Sequence, residues 1–181
     1  MDTCWSCEKP LKVIKGKPYH YTESGLKNII LHGINQYECT ACGEKAAEIP
    51  RVEDLHFVIS KILVCKKTLL SGCEIRFLRK EMGLKSNVMA KILSVDPSTL
   101  SRWENAKGPV DESSDKLLRV IYMCWASEQR KEVLFQDLLK LEPVIHHGHP
   151  SKRIPQPAKI ELTAAEWTVP TPGPAFVPAN C

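Results

Sequence analysis

Four of the chain's eight cysteines, Cys4, Cys7, Cys39 and Cys42, form two Cys-x-x-Cys pairs separated by 31 residues. Under reducing conditions that spacing reads as a metal site before it reads as disulfides. Each turn aims two sulfurs at one point, and two turns together meet the tetrahedral demand of zinc. Four thiolates leave no coordination position for water, so the ion has a structural role. Iron held by four thiolates would use the same sulfurs. Gly43 after the second pair suits a tight turn whose amides point at sulfur, and Glu8 stands there after the first. A dithiol redox site would need a pair opening a helix in a βαβ setting, which neither has. Cys65, Cys73 and Cys124 fall in predicted helices and read as small buried hydrophobes; Cys181 has no partner in view. His146, His147 and His149 read as a solvated polar patch, and His20, His32 and His56 as structural.

The second chemically suggestive stretch runs from Gly83 to Lys107 and reads as helix, tight turn, helix. Ala90 sits where the second helix must cross closely, and Leu93, Val95, Leu100 and Trp103 close the space between them. Such a pair presents the first turns of its second helix to the DNA major groove. Pro97, Ser98, Thr99, Ser101 and Arg102 would form that surface. Arg102 is the candidate base reader, because a guanidinium bonds guanine O6 and N7 in bidentate fashion. Lys85, Ser86 and Lys107 flank the motif and suit phosphate contacts, which set orientation without reading sequence.

These groups need elements to hold them. The spacing predicts a β-rich zinc ribbon over residues 1–50, where Tyr19, Tyr21, Ile29, Ile30, Leu31, Ile34 and Tyr37 lie in short runs broken by glycine and proline. So small a core commonly needs a metal. A connecting helix follows within 51–70, with Val52, Leu55, Ile59, Ile62 and Leu63 at helical period. Residues 71–142 form the helix-turn-helix domain. Ser71 and Glu74 make a capping box, Gly83 ends that helix, Ser86 caps the next, and Asp96-Pro97 restarts the chain. Two further helices are predicted over 114–125 and 127–141. Eight of the thirteen prolines lie in 143–181, which reads as a disordered tail.

Composition bounds the rest. A chain of 181 residues, 43% hydrophobic and 25% charged, is a globular protein of one or two small domains and not a large enzyme. The longest apolar stretch, Leu55 to Cys65, is interrupted by Ser60 and Lys61, so no membrane helix is expected. Met1-Asp2-Thr3-Cys4 opens without a basic or apolar leader segment, so a cytoplasmic location is expected. The net charge of +4 is uneven: residues 61–108 hold 10 basic against 4 acidic residues, and the flanks are nearly balanced. A basic middle points to an anionic partner, nucleic acid first. No Ser/His/Asp grouping, phosphate-binding glycine loop or catalytic carboxylate pair is present, so no enzyme is expected.

Residues 71–124 resemble the XRE family of helix-turn-helix regulators, and Leu100-Ser-Arg-Trp-Glu-Asn-Ala-Lys107 resembles its second-helix signature closely. With the leading cysteine pairs, residues 1 to about 125 resemble the MqsA-type antitoxins, whose N-terminal part is a YgiT-type zinc finger. The resemblance implies an α+β chain with a zinc ribbon ahead of an all-α XRE-type domain, a homodimer on a palindromic operator in double-stranded DNA, and repression of its own operon, either with a cognate toxin as partner or, with the same layout, as a stand-alone regulator. It also implies that Glu104 pairs with Arg79. The chain departs from the family at Ser86, usually Gln, and at Ser94 and Ala106, usually Gly. The alternative reading is an interaction adaptor in which the ribbon docks on a partner and the helical part only dimerises.

Overall fold

The computed structural model describes residues 3–130 and 155–168. They fall into two compact units: residues 3–58 with 158–168, and residues 59–130 with 155–157. This is an α+β chain, with the β-rich part first and the helices after it.

The first unit contains two small sheets. In one, β1 (Leu11–Ile14), β4 (Asn35–Cys39) and β5 (Lys45–Glu48) run in the order β1-β4-β5, each pair antiparallel. Alternation along β4 explains its orientation, since Tyr37 and Cys39 are buried while Glu38 between them is not. In the other, β3 (Ile29–His32) lies between β2 (Tyr19–His20) and β6 (Ile160–Thr163). Ile29, Ile30 and Leu31 are all buried, which marks a strand covered on both faces.

The pairing of β3 with β6 is parallel, and it places a strand at residues 160–163, within the stretch 143–181 expected to be a disordered tail; residues 143–154 and 169–181 of that stretch lie outside the described residues. The Ile160 amide donates to the Asn28 carbonyl and the Ala164 amide to the His32 carbonyl, each at 2.9 Å. Ile160 and Leu162 point inward and Glu161 and Thr163 outward. A short helix, α6 (Ala165–Thr168), then buries Trp167 to 2% exposure, and its Nε1 donates to the Pro50 carbonyl at 2.8 Å. Proline density in the surrounding chain concealed a strand that gains its ladder bonds only from an existing sheet.

The second unit is helical. It takes in the later turns of α1 (Val52–Cys65), with α2 (Gly72–Glu81), α3 (Ser86–Ile92), α4 (Pro97–Glu104) and α5 (Glu112–Arg130). At the start of α2 the Glu74 carboxylate accepts from the Ser71 amide at 2.6 Å, and Lys66 Nζ joins it at 2.6 Å. The predicted break near residue 126 is absent: α5 continues through Ala126, which is fully buried, to Arg130. The rest of the predicted 127–141 helix and the histidines 146, 147 and 149 lie outside the described residues. Lys85, not Ser86, is the N-cap of α3. Cys124 is exposed on α5, not buried, and Cys65 and Cys73 are only partly covered.

Arg119 on α5 closes the C-terminus of α1. Its guanidinium donates to the carbonyls of Val64 (2.9 Å), Lys66 (2.7 Å) and Thr68 (2.7 Å), and Asp115 binds it at 2.8 Å. A carbonyl of the last turn of α1 and two of the segment after it are thereby satisfied inside the protein. Asp115 also accepts from the Leu70 amide at 2.7 Å, so one buried ion pair holds the whole α1–α2 connection.

The docked C-terminal segment is testable. Trp167→Ala should lower stability by about 3–5 kcal/mol, as truncation of a buried aromatic does. Urea unfolding followed by the β-unit's near-ultraviolet signal would show it, and a change below about 1 kcal/mol would mean that the segment is not packed there.

Candidate metal centre and nucleic-acid interface

The two Cys-x-x-Cys turns are built alike. In the first, the Cys4 amide donates to the Lys9 carbonyl and the Glu8 amide to the Cys4 carbonyl, both at 2.9 Å. In the second, the Cys39 amide donates to the Glu44 carbonyl at 2.8 Å and the Gly43 amide to the Cys39 carbonyl at 2.9 Å. Each turn therefore needs a left-handed residue just after its second cysteine: Gly43 has φ of 74° and Glu8 has φ of 59°. Glycine takes this conformation without steric cost, whereas Glu8 adopts it under strain.

The four sulfurs lie within 4.8 Å of one another. Cys4 and Cys42 are separated by 3.6 Å, Cys7 and Cys39 by 3.4 Å, and Cys7 and Cys42 by 3.5 Å. A tetrahedron with metal–sulfur bonds of about 2.3 Å has edges of about 3.8 Å, so the donor set fits one ion. The amides of Cys42 and Ala41 bring the Cys39 thiol down to about 6. At Cys42 the Glu44 amide favours the thiolate, yet the Cys7 and Cys39 sulfurs outweigh it and push the thiol up to about 12. Four adjacent sulfurs cannot all ionise without a cation to share. The four cysteines cluster within metal-binding distance, which suggests a structural metal site.

In the helical unit, α2 and α3 both pack on α4. The inner side of α4 carries Leu100, Trp103 and Glu104, all buried. Met89 and Ala90 of α3 are fully buried, which permits the close crossing. At the start of α2, a Cβ placed on Gly72 would lie 1.8 Å from the Trp103 carbonyl oxygen, so no other residue fits without moving α4. Glu104 locks the arrangement. Its carboxylate takes two bonds from Arg79, at 2.6 and 2.9 Å, and a longer one from Arg76 at 3.4 Å. This pairing keeps Arg79 protonated beyond its ordinary range. The remaining Arg79 nitrogen donates to the Leu84 carbonyl at 2.8 Å.

Three helices of this unit end in the same way. After α2, α3 and α4 come Gly83 (φ 66°), Ser94 (φ 54°) and Ala106 (φ 54°). In each case the next amide reaches back to the helix: Leu84 to the Arg79 carbonyl, Val95 to that of Ala90, and Lys107 to that of Arg102. These are Schellman ends. The sequence departures at Ser94 and Ala106 thus fall on residues that are left-handed here.

On the outer side of α4, Pro97, Ser98, Ser101 and Arg102 are exposed and Thr99 is half-buried. Lys85 and Lys107 are exposed and Ser86 is half-buried. Arg76 was not singled out by sequence. It donates to the Glu104 carbonyl and to Asn105 Oδ1, both at 2.9 Å, and Asn105 in turn donates to the Ser101 carbonyl at 2.7 Å. Its only sequence signal is its place one turn before Arg79.

Residues 75–120, from α2 into α5, match the family model described as helix-turn-helix. The match covers 46 of the chain's 181 residues. Comparison with curated proteins and with solved structures gave no match. Among the described residues, no helix is long and apolar enough to cross a membrane.

Two outcomes are expected. Ser94→Gly should raise the stability of the helical unit by about 1 kcal/mol by relieving the left-handed strain, and a loss of stability would contradict that assignment. The purified chain should hold about one metal ion, and chelation should collapse the near-ultraviolet signal of the β-unit while the helical far-ultraviolet signal persists. A β-unit unchanged after the metal is stripped would remove the structural role.

Proposed function

We propose that this chain is a sequence-specific, DNA-binding transcriptional repressor of antitoxin type, acting as a homodimer on a palindromic operator, with zinc in the four-cysteine site. The observation that carries the reading is the division of α4. Its inner side is fixed by Leu100, Trp103 and Glu104, and its outer side leaves Ser98, Ser101 and Arg102 to solvent. A rigidly backed helix with an exposed arginine can place a guanidinium against a base edge without losing much side-chain freedom.

Arg102 reads a guanine, with Ser98, Thr99 and Ser101 as small adaptable neighbours and Pro97 opening the helix. Lys85, Ser86 and Lys107 hold phosphates. Lys107 suits this role because its backbone amide is anchored to the Arg102 carbonyl at 2.8 Å, which fixes the root of its side chain. Zinc is the ion of choice because four cysteines in tetrahedral spacing form its usual structural set. The antitoxin assignment rests on the MqsA-like order of parts, a two-pair cysteine unit followed by an XRE-type helical unit, and it makes a toxin the protein partner.

Arg102→Ala should weaken binding to the operator by about 1–3 kcal/mol more than binding to random duplex, whereas Lys107→Ala should weaken both alike. Gel shifts with operator and scrambled fragments measure this. Equal losses from both variants on both fragments would contradict base reading by Arg102. Rescue of growth by this chain when the neighbouring gene product is expressed would support the antitoxin assignment, and harmless expression of that product alone would count against it.

A further inference from the structure

The open edge of β3 is a groove whose occupant comes from far along the chain. Without β6, the β2–β3 pair would be a two-stranded sheet with a partner strand of only 2 residues, too little to stand alone. Yet Ile29, Ile30 and Leu31 of β3 are all buried. Residues 158–168 supply the missing cover. Ile160 and Leu162 enter the interior from β6 and Trp167 enters it from α6. The hydrogen bonds that dock the segment end on Asn28, His32, Pro50 and Arg51, all in the β-rich unit. At the far end the Arg51 guanidinium donates to the Thr168 carbonyl at 2.8 Å.

The segment also carries its own shape. The Thr163 amide and hydroxyl both donate to the Glu166 carboxylate, at 2.6 and 2.9 Å, and the Thr168 hydroxyl donates to the Ala164 carbonyl at 2.7 Å. The turn from β6 into α6 is thus held by bonds inside the segment, which lowers the entropy lost on docking. Such a motif fits the groove of any copy of this chain equally well. Residues 131–154, 24 in number, separate it from the end of α5, a contour of about 80 Å. That reach is several times the roughly 11 Å radius of gyration of a unit of about 70 residues. Exchange between two copies keeps every docking contact and alters only the path of the connection. It must also be reciprocal, because a copy that gives its segment away leaves its own β3 uncovered until it receives one.

We propose that residues 158–168 form an exchange arm: in the homodimer, the β6 and α6 of each copy fill the β3 groove of the other. This rests on the homodimer reading given above. Two arms must then leave their grooves before the copies separate, so the exchange ties the integrity of the β-rich unit to dimerisation.

The test uses full-length, metal-loaded chains. An ideal Cβ on Gly33 lies 3.7 Å from the Ala164 Cβ, within the span of a disulfide. One chain carries Gly33→Cys and a second carries Ala164→Cys, each with Cys124→Ser to remove the exposed α5 thiol. The two are co-expressed and oxidised with glutathione disulfide. Random assortment makes about half of the dimers mixed, so up to about half of the protein should run as a covalent heterodimer without reductant. Mass mapping should place the bond between the two substituted positions. A chain carrying both substitutions that closes on itself as a monomer, with no covalent dimer from the mixture, would overturn the exchange. Light scattering separates the two readings: a dimer that does not crosslink sinks the exchange alone, whereas a monomer sinks the homodimer reading with it. Gly33 has φ of 75°, so its substitution strains the turn, and a second measurement avoids it. A labelled peptide of residues 157–169 should bind full-length Trp167→Ala, whose own arm has lost its anchor, at least about tenfold more tightly than it binds the wild-type chain. No binding by a Trp167→Ala chain that keeps its metal and its helical signal would overturn the proposal as well.

Discussion

A buried carboxylate governs the placement of α4. Glu104 lies at the end of α4 with 8% of its surface exposed and is held by Arg79 in a two-bond clasp, with Arg76 beside it. A carboxylate taken from water at that depth is costly unless its lone pairs are filled, and removing one partner of such a pair typically costs about 3–5 kcal/mol. The clasp therefore acts as a register device. With the glycine contact between Gly72 and the Trp103 carbonyl, it permits one position of α4 against α2. Exposure of Ser98, Ser101 and Arg102 on the far side follows from that fixed placement.

The β-rich unit answers a different constraint. Its strands are two to five residues long, too short to bury a large core. Two elements compensate. One is the duplicated cysteine turn, which repeats the same backbone bonds around Cys4 and Cys39 even where Glu8 must take a left-handed conformation to do so. The other is β6 with α6, which completes the sheet at β3 and places Trp167 in the interior. The cysteine turns and the returning segment both substitute for apolar area that fifty residues cannot supply.

Much of this was legible because the signals were local. The cysteine spacing, the Ser71–Glu74 box, Gly83 and Asp96-Pro97 each encode a turn or cap within four residues, and the structure places their elements accordingly. The Arg79–Glu104 pair came from resemblance to a family, since no spacing along the chain links residues 25 apart. What escaped was non-local. Ile160-Glu-Leu-Thr alternates as a strand should, but four residues among prolines carry little weight until β3 offers them a partner. Asp115 and Arg119 are an ordinary i, i+4 pair by sequence, and only the fold shows the pair buried against carbonyls of another helix. The break expected near residue 126 failed because Ala126 is buried in a continuous helix. Ser94 and Ala106 looked like weakened turns, and the structure has them adopt the glycine conformation at a cost.

The central claim is that the outer side of α4 meets base edges in duplex DNA. Titrating the isotopically labelled full-length chain with its operator and following each amide resonance tests it most directly. The account predicts that the signals of Ser98 through Arg102 shift first and most, with the buried Leu100 moving less than its exposed neighbours. Unmoved α4 resonances in a chain that nevertheless binds operator tightly would contradict it.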